Sequence, residues 1–420
     1  MKTVHSHTKR LAYAVILGAA CLTCGGSALA DAHAEAVAAQ PDRPLGLSVA
    51  DDGTLLLEGR PFMGFGIQYH DCLRRRLRDP EDTSYREGFE ELATYGIPFC
   101  RIMACGFWPV EMQLYVDDKD AYFAMLDDVV AAAGRANIGL IPSLFWYYAC
   151  VPDLVGEPIN KWGDPDSKTH AFMRRYVADV VTRYKDSPVI WAWEFGNEYN
   201  LPMDLPDREV GHAWTRPDLG TPAERTKDDV FRSEHLAVAL RAFAEEVRKH
   251  DPDRLISTGH ALPRPAAHHL RTVGTWDRDT VEQFQQVLRD QNPDPFDAIS
   301  IHVYPSVLSE RYFGNEQASF EDVLRPALAA AKAAGKVLFV GEFGAHDDER
   351  ATREEAREHN ELLFKALLEL EVPLANYWVY DFAQQDDFIN VTSTNHRAYV
   401  LDMLREANET LRARMAADGE

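Results

Sequence analysis

The 420-residue chain is poor in cysteine, in basic residues and in long apolar runs, and each shortage closes off a class of function. Of its six cysteines, Cys21 and Cys24 fall in the first thirty residues. The other four, Cys72, Cys100, Cys105 and Cys150, lack the close Cys/His spacing of a zinc site, so no metal is expected. Lys and Arg number 44 against 67 Asp and Glu, a formal net charge of −23. A chain so acidic lacks the basic face that nucleic acids and anionic membranes require. No Gly-x-Gly-x-x-Gly follows the first strand pattern, which removes support for dinucleotide binding, and no cofactor is expected. The apolar stretch Leu11 to Leu22 is too short, and too rich in Ala and Gly, for a membrane anchor. No clean internal repeat, low-complexity segment or interdomain linker follows residue 45.

What is present begins with an export pattern. Lys2, Lys9 and Arg10 precede the apolar stretch, and Ala28-Leu29-Ala30 is a small-residue cleavage site before Asp31. Residues 1–30 therefore read as a signal peptide, 31–44 as a flexible leader and 45–420 as the catalytic domain, secreted or periplasmic. Lipid attachment at Cys21 or Cys24 ranks below plain secretion. An oxidising compartment permits one disulfide among Cys72, Cys105 and Cys150, each of which follows a predicted strand, whereas Cys100 reads as a buried thiol.

A hairpin is expected around Ala50-Asp51-Asp52-Gly53, joining 47–49 to 54–57 and placed to close the bottom of a barrel. Strand and helix patterns then alternate. The predicted strands cover 62–68, 98–104, 139–146, a run from Val189, 255–259, 296–304, 336–343 and 372–380. Helices are predicted over 85–95, 121–135, 169–184, 231–248, 281–289, 320–334, 352–370 and 395–415, and 201–228 is a long, Pro- and charge-rich loop. Eight such units in one chain predict a single (β/α)8 TIM barrel with a short N-terminal β-hairpin, in preference to an open doubly wound sheet.

Two strand ends have the same form. The fourth runs through Trp191-Ala192-Trp193-Glu194-Phe195-Gly196 into Asn197-Glu198, and the seventh through Val340-Gly341 into Glu342-Phe343-Gly344. Taken singly, Glu198 has a surface turn as its plainer rival and Glu342 a salt-bridged strand end. In one barrel both face the same mouth from nearly opposite sides, and two carboxylates across a cleft are what glycoside hydrolysis needs. Glu198 is assigned as acid/base and Glu342 as nucleophile.

The set Trp193-Glu194-x-x-Asn197-Glu198 with Gly341-Glu342-Phe343-Gly344 resembles the signature of the retaining clan A glycoside hydrolases. It is most similar to family 5, the cellulase and mannanase group, over about residues 45 to 415. On that resemblance Arg101 matches the arginine near the nucleophile, His302 and Tyr304 the family's His-x-Tyr, and Trp378 the tryptophan under the sugar at the cleavage point. The chain departs from the family in following Asn-Glu with Tyr199 rather than proline. It also carries Trp146-Tyr147-Tyr148 where many members have a histidine.

Each of these residues has a physical role and a plainer rival. Arg101 and Tyr304 can hydrogen-bond Glu342 and keep it ionised. His302 suits Glu198 or a sugar hydroxyl, and a buried structural histidine is its rival. Asn197 suits the sugar 2-hydroxyl, while Trp378, Trp108 and Trp146 offer flat faces for pyranose rings, against the core reading of any single tryptophan. Glu194 supports the site or sits in a buried ion pair, and His260 and Trp276 are placed near the cleft. The expected activity is that of an exported retaining β-glycosidase acting on a β-linked, mannan- or glucan-type polysaccharide or oligosaccharide. The alternatives are an exo-acting member of another clan A family, a non-catalytic carbohydrate-binding barrel, and a metal-dependent hydrolase using His260, His302, Glu342 and His346.

Overall fold

The computed structural model describes residues 44–206, 210–315, 318–349 and 351–418. The expected signal peptide, and all of the leader but Pro44, lie outside the described residues. Short strands β1 (Leu47–Val49), β2 (Leu55–Leu57) and β3 (Arg60–Pro61) form an antiparallel sheet, and β3 is an addition to the expected hairpin. The eight barrel strands follow: β4 (Gly64–Gln68), β5 (Phe99–Met103), β6 (Gly139–Phe145), β7 (Ala192–Gly196), β8 (Leu255–Ser257), β9 (Ala298–Val303), β10 (Val337–Phe343) and β11 (Leu374–Tyr377). All pair in parallel in the order β8-β7-β6-β5-β4-β11-β10-β9, with helices between them as the alternating pattern predicts.

The inner face of the barrel is graded by the two-residue period of its strands. Phe99, Ile141, Ala192, Leu255, Ala298, Phe339 and Leu374 share one buried cluster with Leu47 and Leu55 of the hairpin, which plugs the bottom. One step further up each strand stand Arg101, Ser143, Glu194, Ser257, Ser300 and Asn376, all fully buried. Each inward row thus passes from hydrocarbon to hydrogen-bonding groups as it nears the C-terminal mouth, where barrel enzymes carry their chemistry.

The barrel nearly closes, and its last joint is made largely by side chains. Among the described residues no strand ladder joins β8 to β9. Instead the Asp297 amide donates to the Ile256 carbonyl (3.0 Å), and the Ile256 amide donates to the Asp297 carboxylate (2.7 Å). Above them the Asn292 side-chain oxygen accepts from the Thr258 hydroxyl (2.6 Å) and the Ser300 amide (3.2 Å).

The expected disulfide is absent: all four described cysteines are buried free thiols. Each of the three proposed partners is satisfied locally. Cys72 donates to the Tyr69 carbonyl (3.3 Å), Cys150 to the Gly106 carbonyl (3.5 Å), and Cys105 accepts from the Trp146 amide (3.3 Å). Burial pushes the Cys72 and Cys105 thiols up to about 12, so they stay protonated.

Candidate active site

Arg101 rises from the middle of β5 and organises the site. Its guanidinium, fully buried, donates from Nε to Glu194 (2.7 Å), from Nη1 to Glu342 (2.8 Å) and from Nη2 to the Asn197 side-chain oxygen (2.9 Å). Its flat face lies 4.6 Å from the centre of the Trp146 ring. The Arg101–Glu194 pair has no exposed surface at all, which places Glu194 beneath the site as an anchor. One cation held between two glutamates leaves surplus negative charge in a dry pocket. Such an arrangement favours a proton on one of the carboxyls present.

Glu342 reaches the site through an irregularity in β10. The register against β9 shifts between Val340 and Glu342, and that extra residue is Gly341. A side chain on Gly341 would stand 3.0 Å from His302 Nε2, so anything larger than glycine there would press on that imidazole. Glu342 then receives Arg101 on one oxygen and the Tyr304 hydroxyl on the other (2.6 Å). Burial and the neighbouring Glu198 push its carboxyl upward, while Arg101 and the Tyr304 hydroxyl pull it back.

Glu198 sits just beyond β7 with a positive φ of 53°. A non-glycine residue in this region costs about 1–3 kcal/mol, and such strain clusters at functional sites. The conformation is held by the Glu198 amide, which donates to the Gly259 carbonyl (2.9 Å). Its carboxyl is 31% exposed to the cleft yet surrounded by protein, and burial raises it to about 7 against the pull of Arg101 and Arg264. His302 Nδ1 lies 2.9 Å from Glu198 and 3.4 Å from Glu342. Burial drives its imidazole down to about 3, so the ring is neutral at ordinary pH. The facing atoms of Glu198, His302 and Glu342 all lie within 4.8 Å of one another.

The tryptophans divide into two groups. Trp146 and Trp378 stack at 6.0 Å with 23° between their planes, and His70 packs against both. Trp378 is half-buried at the end of β11, its indole N–H held by Gln385 (2.7 Å). Trp108 is only 8% exposed and belongs to a separate cluster with Phe107, Tyr147 and Trp214, in which the ring open to solvent is that of Trp214, 58% exposed. Tyr199, in the position where family 5 usually has proline, is fully buried and donates to the Phe145 carbonyl (2.9 Å).

His260 is fully buried and kept neutral by that burial, its ring lowered to about 3, while Trp276 lines the cleft beside Glu198. The four-residue metal set is not assembled. Among the described residues metal-type donors converge only at Glu198, His302 and Glu342, without His260 or His346, and there Arg101 already pairs with Glu342.

The sequence reading missed His70, Arg264 and Arg278. All three lie in the segments after barrel strands, and the rule that such loops build the mouth was the available signal. It marks position without marking role.

Residues 80–383 match the family model described as Cellulase (glycosyl hydrolase family 5). The chain is 25% identical over 327 residues to mannan endo-1,4-beta-mannosidase 8 of Oryza sativa subsp. japonica, covering 69% of this chain and 77% of the relative. Its fold is similar to an endo-1,4-beta-mannanase from Rhizomucor miehei, at a TM-score of 0.60 and 16% identity, over 89% of this chain and 99% of that one. A family 5 mannosidase from the same organism superposes with a TM-score of 0.63 at 14% identity, over 89% and 99%. At these identities the structures speak for the barrel alone, but the family match spans well over half of the sequence: the chain belongs to glycosyl hydrolase family 5.

Proposed function

We propose that the chain is an exported retaining β-glycosidase that cleaves β-1,4-linked mannan-type polysaccharides or oligosaccharides by double displacement. The observation that carries the mechanism is the close approach of the two carboxylates, with facing oxygens of Glu198 and Glu342 within 4.8 Å. Retaining enzymes hold their carboxyl groups about 5–5.5 Å apart, whereas inverting enzymes need about 6.5–9.5 Å to admit a water.

The environments assign the roles. Glu342, in direct contact with Arg101 and Tyr304, is the better anion and attacks the anomeric carbon. Glu198 has no contacting cation and is raised to about 7, so it carries the proton passed to the departing oxygen. A covalent glycosyl-Glu342 forms as the leaving alcohol departs. Glu198, now ionised, then takes a proton from water as that water attacks the same carbon, and Glu342 is released. His302, neutral, supplies an Nδ1–H to Glu198 while it is charged. Asn197, its oxygen occupied by Arg101, keeps its amide NH2 for a sugar hydroxyl.

Mannan is preferred as substrate because curated relatives carry the name mannan endo-1,4-beta-mannosidase. Export rests on the residue 1–30 pattern. Replacing Glu342 by Gln is expected to cut turnover on the order of 10⁴-fold while the unfolding temperature holds. A variant that cleaves every glycoside as fast as the parent would remove the mechanism. Product analysis on mannan, glucan and xylan, with the anomer of the first product read by NMR, tests substrate and stereochemistry together.

A further inference from the structure

Beside Glu198 a cavity of about 380 Å³ opens between the segments that follow β8 and β9. Its walls include Glu198, Arg264, Trp276, Arg278, Glu310 and Tyr312. Because Glu198 is the group that protonates the departing oxygen, this space receives the leaving group.

The chemistry of the walls exceeds what an uncharged sugar asks for. Arg278 is exposed and makes no hydrogen bond or ion pair among the described residues. Arg264 has no carboxylate partner among them: one Nη2–H reaches the Leu201 carbonyl (3.1 Å), and its Nε is buried with no partner. Glu310 lines the same cavity and sets one carboxylate against the two guanidinium groups. Two guanidinium groups therefore face one cavity with donors to spare, in a protein whose net charge is −23.

Nor is their display an accident of a loose loop. Asp279, 3% exposed, ties the segment shut: its amide donates to the Pro265 carbonyl (2.8 Å), and its carboxylate accepts from the His268 amide (2.8 Å) and His269 Nδ1 (2.7 Å). The Tyr312 hydroxyl fixes the same segment through the Pro263 carbonyl (2.8 Å). On that tied loop Trp276 stands 52% exposed, an indole face beside the free arginine.

We propose that this cavity is a leaving-group site for a sugar bearing a carboxylate, a uronosyl residue, with its ring on Trp276 and its carboxylate on Arg278 and Arg264. A planar guanidinium pairs a carboxylate through two parallel hydrogen bonds, and a neutral hydroxymethyl group offers no such match. The proposal rests on Glu198 being the acid, and it goes beyond the preceding reading by placing on the leaving side a charged sugar that plain β-mannan does not supply.

The test is calorimetric titration of the intact protein with methyl β-D-glucuronoside and, separately, methyl β-D-glucoside at low salt. The glucuronoside is expected to bind about tenfold more tightly or better. That preference is expected to vanish in the Arg264→Gln/Arg278→Gln double variant, whereas Trp276→Ala weakens both ligands together. Should the double variant fail to fold, Arg278→Gln alone serves, since that side chain has no partner to lose, and most of the preference should go with it. Equal affinity, no binding of either glycoside, or a preference that survives these substitutions overturns the proposal. The titration needs no turnover, so its failure is separable from a failure of the Glu342→Gln experiment.

Discussion

At the scale of single residues, the site divides labour between two glutamates by the company each keeps. Glu342 faces Arg101 and Tyr304; Glu198 faces a neutral histidine and the open cleft. The acid must hold its proton to act, so kcat/KM is expected to fall as pH rises through about 7, the value to which burial lifts Glu198. Glu198→Ala, assayed with an activated aryl glycoside and rescued by azide, should lose that alkaline limb. The same shift bears on stability. A carboxyl raised on folding binds its proton more tightly in the native state, so its contribution is present below its unfolded value and declines as pH climbs to about 7. Glu198→Gln should therefore melt at the wild-type temperature near pH 4 and above it at pH 8, as read by calorimetry.

At the scale of elements, Gly259 is the clearest case of a strand end shaped by close approach. It holds φ +71°, and a Cβ there would stand 1.9 Å from the Gly196 carbonyl oxygen. Its own carbonyl holds the Glu198 amide. Gly259→Ala is expected to cost about 3 kcal/mol or more in urea unfolding and to depress turnover beyond any change in folded fraction. The elements themselves were largely legible. The apolar runs, the Gly punctuation and the alternation of periods located every barrel strand, because each is buried on both faces and punctuated by turn residues. The repeated carboxylate at two strand ends pointed to Glu198 and Glu342, which the fold brings together at one mouth. The Gly341 bulge was not legible, since a register shift is a relation between two strands. Nor were Arg264 and Arg278, which lie in irregular stretches on either side of a short helix (Ala267–Val273), where spacing carries no information about which side chain turns inward.

At the scale of the whole molecule, the four thiols speak for packing rather than cross-linking. Reductant should leave the melting temperature unchanged, and a drop on reduction would restore the bridge that the sequence led us to expect. The disulfide expectation failed because compartment and strand-end position were known, while local partners for each sulfur were not. The joint between β8 and β9 matters more widely. Asn292→Ala would strand the Thr258 hydroxyl and the Ser300 amide in the interior, a loss of about 2–4 kcal/mol by denaturant unfolding. Seven of the eight neighbour relations in the ring are zipped by strand ladders, and this one is held by a single main-chain bond with a carboxylate and a carboxamide, so transient loosening should start there. Deuterium uptake at the Ile256 and Asp297 amides would then lead that of their counterparts around the ring. The cavity beside Glu198 sits between the segments leaving those two strands, so the same weak seam runs beneath the floor on which a severed sugar would rest.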